Sequence, residues 1–161
     1  MKQKILITGA AGFIGFHLSK NLSESGNQVL GLDNLNSYYS KKLKKDRINS
    51  IKNKNFNFSK IDLKDKIKLK KIIRKFKPHF VFHLAAQAGV RFSLLKPQNY
   101  IDNNITVFQN ILDLSKEYNV RMFIYASSSS VYGNNKHNIL SEKSDTGMPI
   151  SPYGVSKKSN E

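Results

Sequence analysis

The stretch Thr8-Gly-Ala-Ala-Gly-Phe-Ile-Gly15 constrains this chain more than any other, because its three glycines directly follow the apolar run Lys4 to Thr8. A strand entering such a loop can turn tightly, and a glycine leaves no Cβ to obstruct a close neighbour. Ile14, Leu18 and Leu22 then recur every four residues up to Gly26, the pattern of one helix face. In the resulting strand-turn-helix, Gly9 makes the turn and Gly12 leaves the helix N-terminus open to a pyrophosphate. Gly15 lets helix and strand pack closely. An ordinary strand-to-helix turn accepts three glycines too. The dinucleotide reading gains from position: a second apolar strand, Gln28 to Leu32, ends at Asp33, 18 residues after Gly15. A carboxylate there can hydrogen-bond both ribose hydroxyls of an adenosine and repel a 2′-phosphate, which favours NAD over NADP. A surface aspartate at a strand end would look the same.

The alternation continues. Asn34 to Tyr39 is a polar, aromatic loop before a Lys-rich helical piece. Phe56 to Ile61 reads as a third strand ending at Asp62, which can accept from an adenine amino group or cap a helix before Leu63. Leu69, Ile72, Ile73 and Phe76 mark a helix that Pro78 ends, and His79 to Leu84 is a fourth strand. Ile101, Ile105, Phe108 and Leu112 mark a long helix from Gln98 to Tyr118, and Met122 to Ala126 a fifth strand. Strands joined by such helices predict an α/β, doubly wound parallel sheet.

Composition limits the function. The chain has 161 residues and a net charge of +16. That length predicts about one domain able to bury about 70% of its unfolded surface. With no Cys, it has no disulfide scaffold, thiolate metal site or Cys nucleophile, and no metal site is expected. No apolar run approaches a membrane span. The basic, then apolar start Met1 to Ile7 imitates an export signal, but Gly9, Gly12 and Gly15 interrupt it; a protein of a reduced compartment, the cytoplasm, is expected. Between Lys41 and Lys77 stand 16 basic residues against three acidic ones, which is most of the net charge. Such a stripe can bind nucleic acid. Yet Lys, Asn and Ile make up 55 of the 161 residues, an excess that A/T-rich coding produces without a partner. Phe56, Phe58 and Phe76 sit at core spacing and not as a stacking platform. A solvated basic surface is expected, not a nucleic-acid partner.

Tyr153 and Lys157 stand four apart in Tyr153-Gly-Val-Ser-Lys157. On a helix they share a face, and an ammonium near a phenol favours phenolate, as a general base requires. Ser151-Pro152 reads as N-cap and first helical residue, which puts Tyr153 in the first turn. Tyr125-Ala-Ser-Ser-Ser-Ser-Val-Tyr-Gly133 runs off the end of the fifth strand, and ligands bind at strand C-terminal ends in a parallel sheet. A surface Tyr-Lys pair and a flexible serine loop are the plain alternatives.

Taken together, TGAAGFIG, LDNLNSYY, HLAAQAGVRFS, YASSSSVYG and YGVSK resemble the nucleotide-sugar epimerase branch of the extended short-chain dehydrogenase/reductases. The likeness to UDP-glucuronate 4-epimerases is the strongest. The resemblance covers essentially the whole chain and implies a Rossmann-type NAD-binding domain over residues 1–161. It implies that Tyr153 is the catalytic base, that Lys157 tunes it and binds the nicotinamide ribose, and that Ser128 is the catalytic hydroxyl. The neighbouring Ser127, Ser129 and Ser130 leave that register open by one. Gly9, Gly12, Phe13, Ile14, Asp33, Asn34, Asp62 and Leu63 match NAD-contacting positions, as do Leu84, Ala85, Ala86, Gln87 and Asn104. Ser128, Ser129 and Arg91 are placed on the substrate side, Arg91 as a partner for a sugar carboxylate.

The implied reaction is UDP-glucuronate to UDP-galacturonate through a 4-keto sugar, with hydride passing to NAD and back. Sugar 4,6-dehydratases of the family usually carry Asp-Glu where this chain has Ser129 and Ser130, so epimerisation is favoured over water elimination. Other readings are a UDP-glucose 4-epimerase, a dehydratase, or a non-catalytic NAD-binding remnant. The resemblance also implies a homodimer through the Gln98–Tyr118 helix, and a longer chain with further strands and a C-terminal substrate domain. From that follows the expectation that these 161 residues alone are poorly soluble or partly molten, and inactive on any UDP-sugar.

Overall fold

The computed structural model describes residues 2–134 and 139–161, so Met1 of the basic start lies outside it. In chain order the elements are β1 (Lys4–Thr8), α1 (Phe13–Glu24), β2 (Gln28–Asp33), α2 (Lys41–Ser50), β3 (Phe56–Lys60), α3 (Lys66–Phe76) and β4 (Phe80–His83). Then follow α4 (Val90–Leu95), α5 (Pro97–Tyr100), a π-helical stretch (Ile101–Thr106), α6 (Val107–Glu117), β5 (Met122–Tyr125), a 3₁₀ turn (Ser129–Tyr132) and α7 (Pro152–Lys158). They divide into two compact units: residues 1–85 with 110–125, and residues 86–109 with 126–161.

The first unit is built on a five-stranded parallel sheet in the order β3-β2-β1-β4-β5. The chain winds outward from β1 to β3 and then returns to the other side of β1. With right-handed crossovers, that reversal assigns the helices to both faces, as the doubly wound expectation requires. The alternation of β1 is legible in burial: Ile5 and Ile7 join Ala10 and Val29 in one cluster, against which Leu18, Leu22 and Phe80 pack. Leu69, Ile73, Ile111 and Leu114, all buried, supply further core. The strand β5 is an edge, with Met122 and Ile124 exposed.

Three details depart from the sequence reading. Ile14 does not belong to the buried face of α1; it is 63% exposed, and the deepest row is Gly15, Ser19 and Ser23. Small side chains let the helix axis approach the sheet, and Leu18 and Leu22 flank that row. Asp62 does not cap α3. Asp65 does, accepting from the Lys68 N–H, while Asp62 accepts from the Lys64 N–H in a turn. Finally, Lys44 is buried in the midst of the basic stripe expected to be solvated.

The second unit holds α4, α5, the π stretch, the 3₁₀ turn and α7. The helix expected as one run from Gln98 to Tyr118 is interrupted by the π stretch, whose wider turns disturb the usual pairing of amides and carbonyls. The Asn104 carbonyl there accepts from Asn160 Nδ2 at 3.1 Å. Asn104 itself is buried and ties three segments: its side chain accepts from the Gln87 N–H and donates to the Gln87 carbonyl and to Ser156 Oγ.

A Cβ at Gly15 would lie 2.2 Å from the Gly9 carbonyl oxygen and 2.9 Å from Ala10 Cα, all rigid backbone. Gly15→Ala is expected to cost about 3 kcal/mol of folding stability. Gly26→Ala, left-handed but with open space around it, should cost only about 1 kcal/mol. Urea unfolding followed by circular dichroism measures both.

Candidate active site

At the strand ends of the first unit, β1 stops at Thr8 and the chain turns at Gly9, whose φ is +69°. A Cβ on Gly9 would sit 2.8 Å from the Ala85 nitrogen, so only glycine lets this loop lie against the chain leaving β4. Thr8 Oγ1 accepts from the Ala85 N–H at 3.1 Å and lies 2.8 Å from His83 Nδ1. With its lone pair engaged by the amide, the hydroxyl hydrogen is available for His83 Nδ1. Gly12 then caps α1 without any side-chain hydrogen bond, which leaves the first-turn amides of the helix open. Phe13 and Ile14, beside that opening, are exposed.

Asp33 closes this cradle. It is buried, with Oδ2 accepting from the Ala11 N–H at 3.2 Å and Oδ1 from the Leu35 N–H at 2.8 Å. The carboxylate is therefore bonded to the glycine loop itself and is not a loose surface aspartate. An uncapped helix N-terminus, loop positions where a Cβ would clash and a fixed carboxylate fit a dinucleotide's pyrophosphate and ribose. Asn34 accepts from the Asn36 N–H nearby. Asp62 is half-exposed in its turn and Leu63 is buried; no hydrogen bond ties either to Asp33. Leu84 and Ala85 stand at the exit of β4, Leu84 donating its N–H to the Thr8 carbonyl.

The second unit carries the hydroxyls and the ammonium. Ser151 caps α7, accepting from the Gly154 N–H at 3.0 Å, and Pro152 opens the helix, so Tyr153 stands in the first turn as the sequence predicts. A Cβ on Gly154 would meet the Ser130 carbonyl at 2.7 Å; its absence lets α7 lie directly against the serine loop. Ser128 is extended and caps the 3₁₀ turn, its Oγ accepting from the Ser130 N–H, while Ser127 donates to Glu161 and Ser129 is exposed. The Tyr153 ring meets Tyr100 edge-on at 5.9 Å, and the Tyr100 hydroxyl donates toward the Ala88 and Gly89 carbonyls. Gln87, buried, is held by Asn104, and Ala86 before it is exposed. Arg91 is exposed on α4, which packs against α7. Among the described residues no group of three His, Cys, Asp or Glu side chains is placed to hold a metal, and no helix is long and apolar enough to cross a membrane.

Sequence reasoning missed Thr8, Lys44, Tyr100 and Ser156. Thr8 carried a usable signal, a polar residue ending an apolar strand. Ser156 and Tyr100 carried none, since their partners are distant in the chain. Lys44 was hidden among fourteen lysines of one stripe.

Lys157 is buried to 5% exposure, and its ammonium donates to the Ala126 carbonyl at 2.8 Å. Burial pushes it down from the ordinary 10.5 to about 8. Between those values the unfolded chain holds a proton that the folded chain has lost, so stability rises with pH across that window. The stability of the native chain relative to Lys157→Met is expected to climb by about 3 kcal/mol from pH 8 to pH 10.5, read from denaturant unfolding at each pH. An unchanged difference across the window would exclude a buried, desolvated ammonium.

Residues 6–161 match the family model described as GDP-mannose 4,6 dehydratase. The chain is 50% identical over 158 residues to Protein CapI of Staphylococcus aureus, covering 98% of this chain and 47% of that protein. It is 42% identical to UDP-glucuronate 4-epimerase 5 of Arabidopsis thaliana, covering 98% and 36%. Among solved structures, the UDP-N-acetylglucosamine 4-epimerase of Methanobrevibacter ruminantium M1 superposes with a TM-score of 0.86 at 36% identity, over 100% of this chain and 49% of that one. The Thermus thermophilus UDP-glucose 4-epimerase, solved in complex with NAD, superposes at 0.83 with 32% identity, over 97% and 48%. The chain spans about half or less of the length of these relatives. The match of the family model to nearly every residue, on a sheet wound in this order, settles the family: the chain belongs to the one described as GDP-mannose 4,6 dehydratase, within the extended short-chain dehydrogenase/reductases.

Proposed function

We propose that residues 1–161 form the NAD-binding part of a nucleotide-sugar 4-epimerase acting on UDP-glucuronate. The observation that carries the reading is the placement of Tyr153 in the first turn of α7, one turn from the buried ammonium of Lys157 and on a helix pressed against the Ser128 loop. The loop amides before α1 and the Asp33 carboxylate hold the pyrophosphate and adenosine ribose. NAD, when bound, supplies the transient oxidant for the sugar 4-position.

In this reading Tyr153 takes the proton from the sugar 4-hydroxyl, and Ser128 donates a hydrogen bond to the same oxygen. Lys157, held by the Ala126 carbonyl, places a positive charge in the unit that carries the base and binds the nicotinamide ribose. Returning the proton from Tyr153 restores the hydroxyl after the 4-keto sugar has turned. Ser129 and Ser130 offer no titrating group near neutral pH, so no acid-base pair stands ready to expel water, which favours epimerisation over dehydration. Arg91, exposed on α4, is assigned to the sugar carboxylate and would distinguish a uronate from a neutral sugar. UDP-glucose or UDP-N-acetylglucosamine is the second reading, favoured by the epimerases of those sugars among the structural neighbours. A homodimer through residues 98–118 and a cytoplasmic location complete the proposal.

The test is 4-epimerase activity of the protein purified from its source, on UDP-glucuronate, UDP-glucose and UDP-N-acetylglucosamine. Tyr153→Phe is expected to lower kcat at least about a hundredfold while NAD binding persists. Arg91→Met should raise KM for UDP-glucuronate about tenfold or more and leave KM for UDP-glucose unchanged. Turnover of neutral sugars alone would move the assignment to the second reading.

A further inference from the structure

The adenosine side of the cradle holds a lysine that the family motifs quoted above do not account for. Lys44 projects from α2 with only 8% of its side chain exposed, and its Nζ lies 2.8 Å from Asn36 Oδ1 and 3.8 Å from Asp33 Oδ1. Burying an ammonium is costly unless it is matched, and here it is matched by the carboxylate assigned above to the ribose hydroxyls. One helical turn on, Arg47 donates to the Ala11 carbonyl and places its guanidinium 5.9 Å from the Phe13 ring. Asp46 on the same helix pairs outward with exposed Lys42. The carboxylate that would repel a 2′-phosphate therefore has the Lys44 ammonium close to it, and the same helix sends Arg47 to the glycine loop.

We propose that Lys44 is the residue that sets dinucleotide selectivity: paired with Asp33 at the adenosine 2′ position, it offsets the carboxylate's charge so that the chain discriminates only weakly against NADP. This rests on the reading of the first unit as an NAD site. With a hydroxyl at the 2′ position, Asp33 accepts its hydrogen bond as expected. With a phosphate there, the ammonium supplies a donor and a positive charge beside the carboxylate. Asp33 alone therefore does not determine the preference for NAD.

Calorimetric titration of the protein purified from its source, freed of bound nucleotide, with NAD and with NADP tests this without any turnover. The native chain is expected to bind NADP no more than about a hundredfold more weakly than NAD. Lys44→Met should widen that ratio by about tenfold or more, and Lys44→Arg should keep it. A native ratio above about a hundredfold overturns the inference, and so does an unchanged ratio in a folded Lys44→Met chain. The native ratio needs no variant, so the inference is decided even if Lys44→Met does not fold. Failure of the native chain to bind either nucleotide overturns the NAD reading itself, a result distinct from NAD binding with strong rejection of NADP.

Discussion

The close approach of Gly9 to Ala85 governs the strand ends of the first unit. It occurs between β1 and β4, where the sheet reverses its winding and two neighbouring strands send their chains away in opposite directions. A crevice at that reversal is open to a ligand only if the loops leaving it stay thin. A Cβ at Gly9 would stand 2.8 Å from the Ala85 amide nitrogen, and one at Gly15 would strike the same loop from the helix side. Thr8 joins the two strand ends with one hydroxyl, accepting from Ala85 and facing His83. Asp33 secures the loop from β2 by bonding the Ala11 amide. Each of these contacts depends on the registers of β1 with β2 and with β4.

The second unit depends on a comparable contact and on an uncomfortable charge. Gly154 brings α7 against the Ser130 carbonyl, and Lys157 on that helix buries its ammonium against Ala126. A buried amine pushed toward neutrality is unfavourable for folding. Such groups cluster where chemistry needs a charge in a poorly solvated place. Asn104, carried on the π stretch, spans Gln87 and Ser156 with both ends of its amide engaged. Irregular helix is tolerated there because Asn160 takes up the Asn104 carbonyl.

Much of this was legible in the chain. Periodicity placed all five strands and their order of appearance, since apolar runs that end in turn residues are local properties. Ser151 and Pro152 announced the start of α7 because capping is settled within four residues. The departures share a cause. Apolar spacing grouped Ile14 with Leu18 and Leu22 on one helix face, whereas packing distance selected the small row of Gly15, Ser19 and Ser23 as the deepest. Asp62 was open to a cap role, and the turn geometry gave that role to Asp65 three residues later. The heptad-like run from Gln98 to Tyr118 gave no sign of the π stretch within it.

What the sequence determined by itself was therefore the kind of fold, the glycines that make its loops thin, the acidic end of β2 and the Tyr-Lys spacing, all set by residues near one another in the chain. Only tertiary structure decided which of fourteen stripe lysines is buried beside Asp33, what holds Asn104, and that Lys157 meets Ala126 rather than solvent. Those outcomes join residues separated by 11 to 52 positions. Burial and pairing at such distances follow from how the elements pack, which no local pattern of residues encodes.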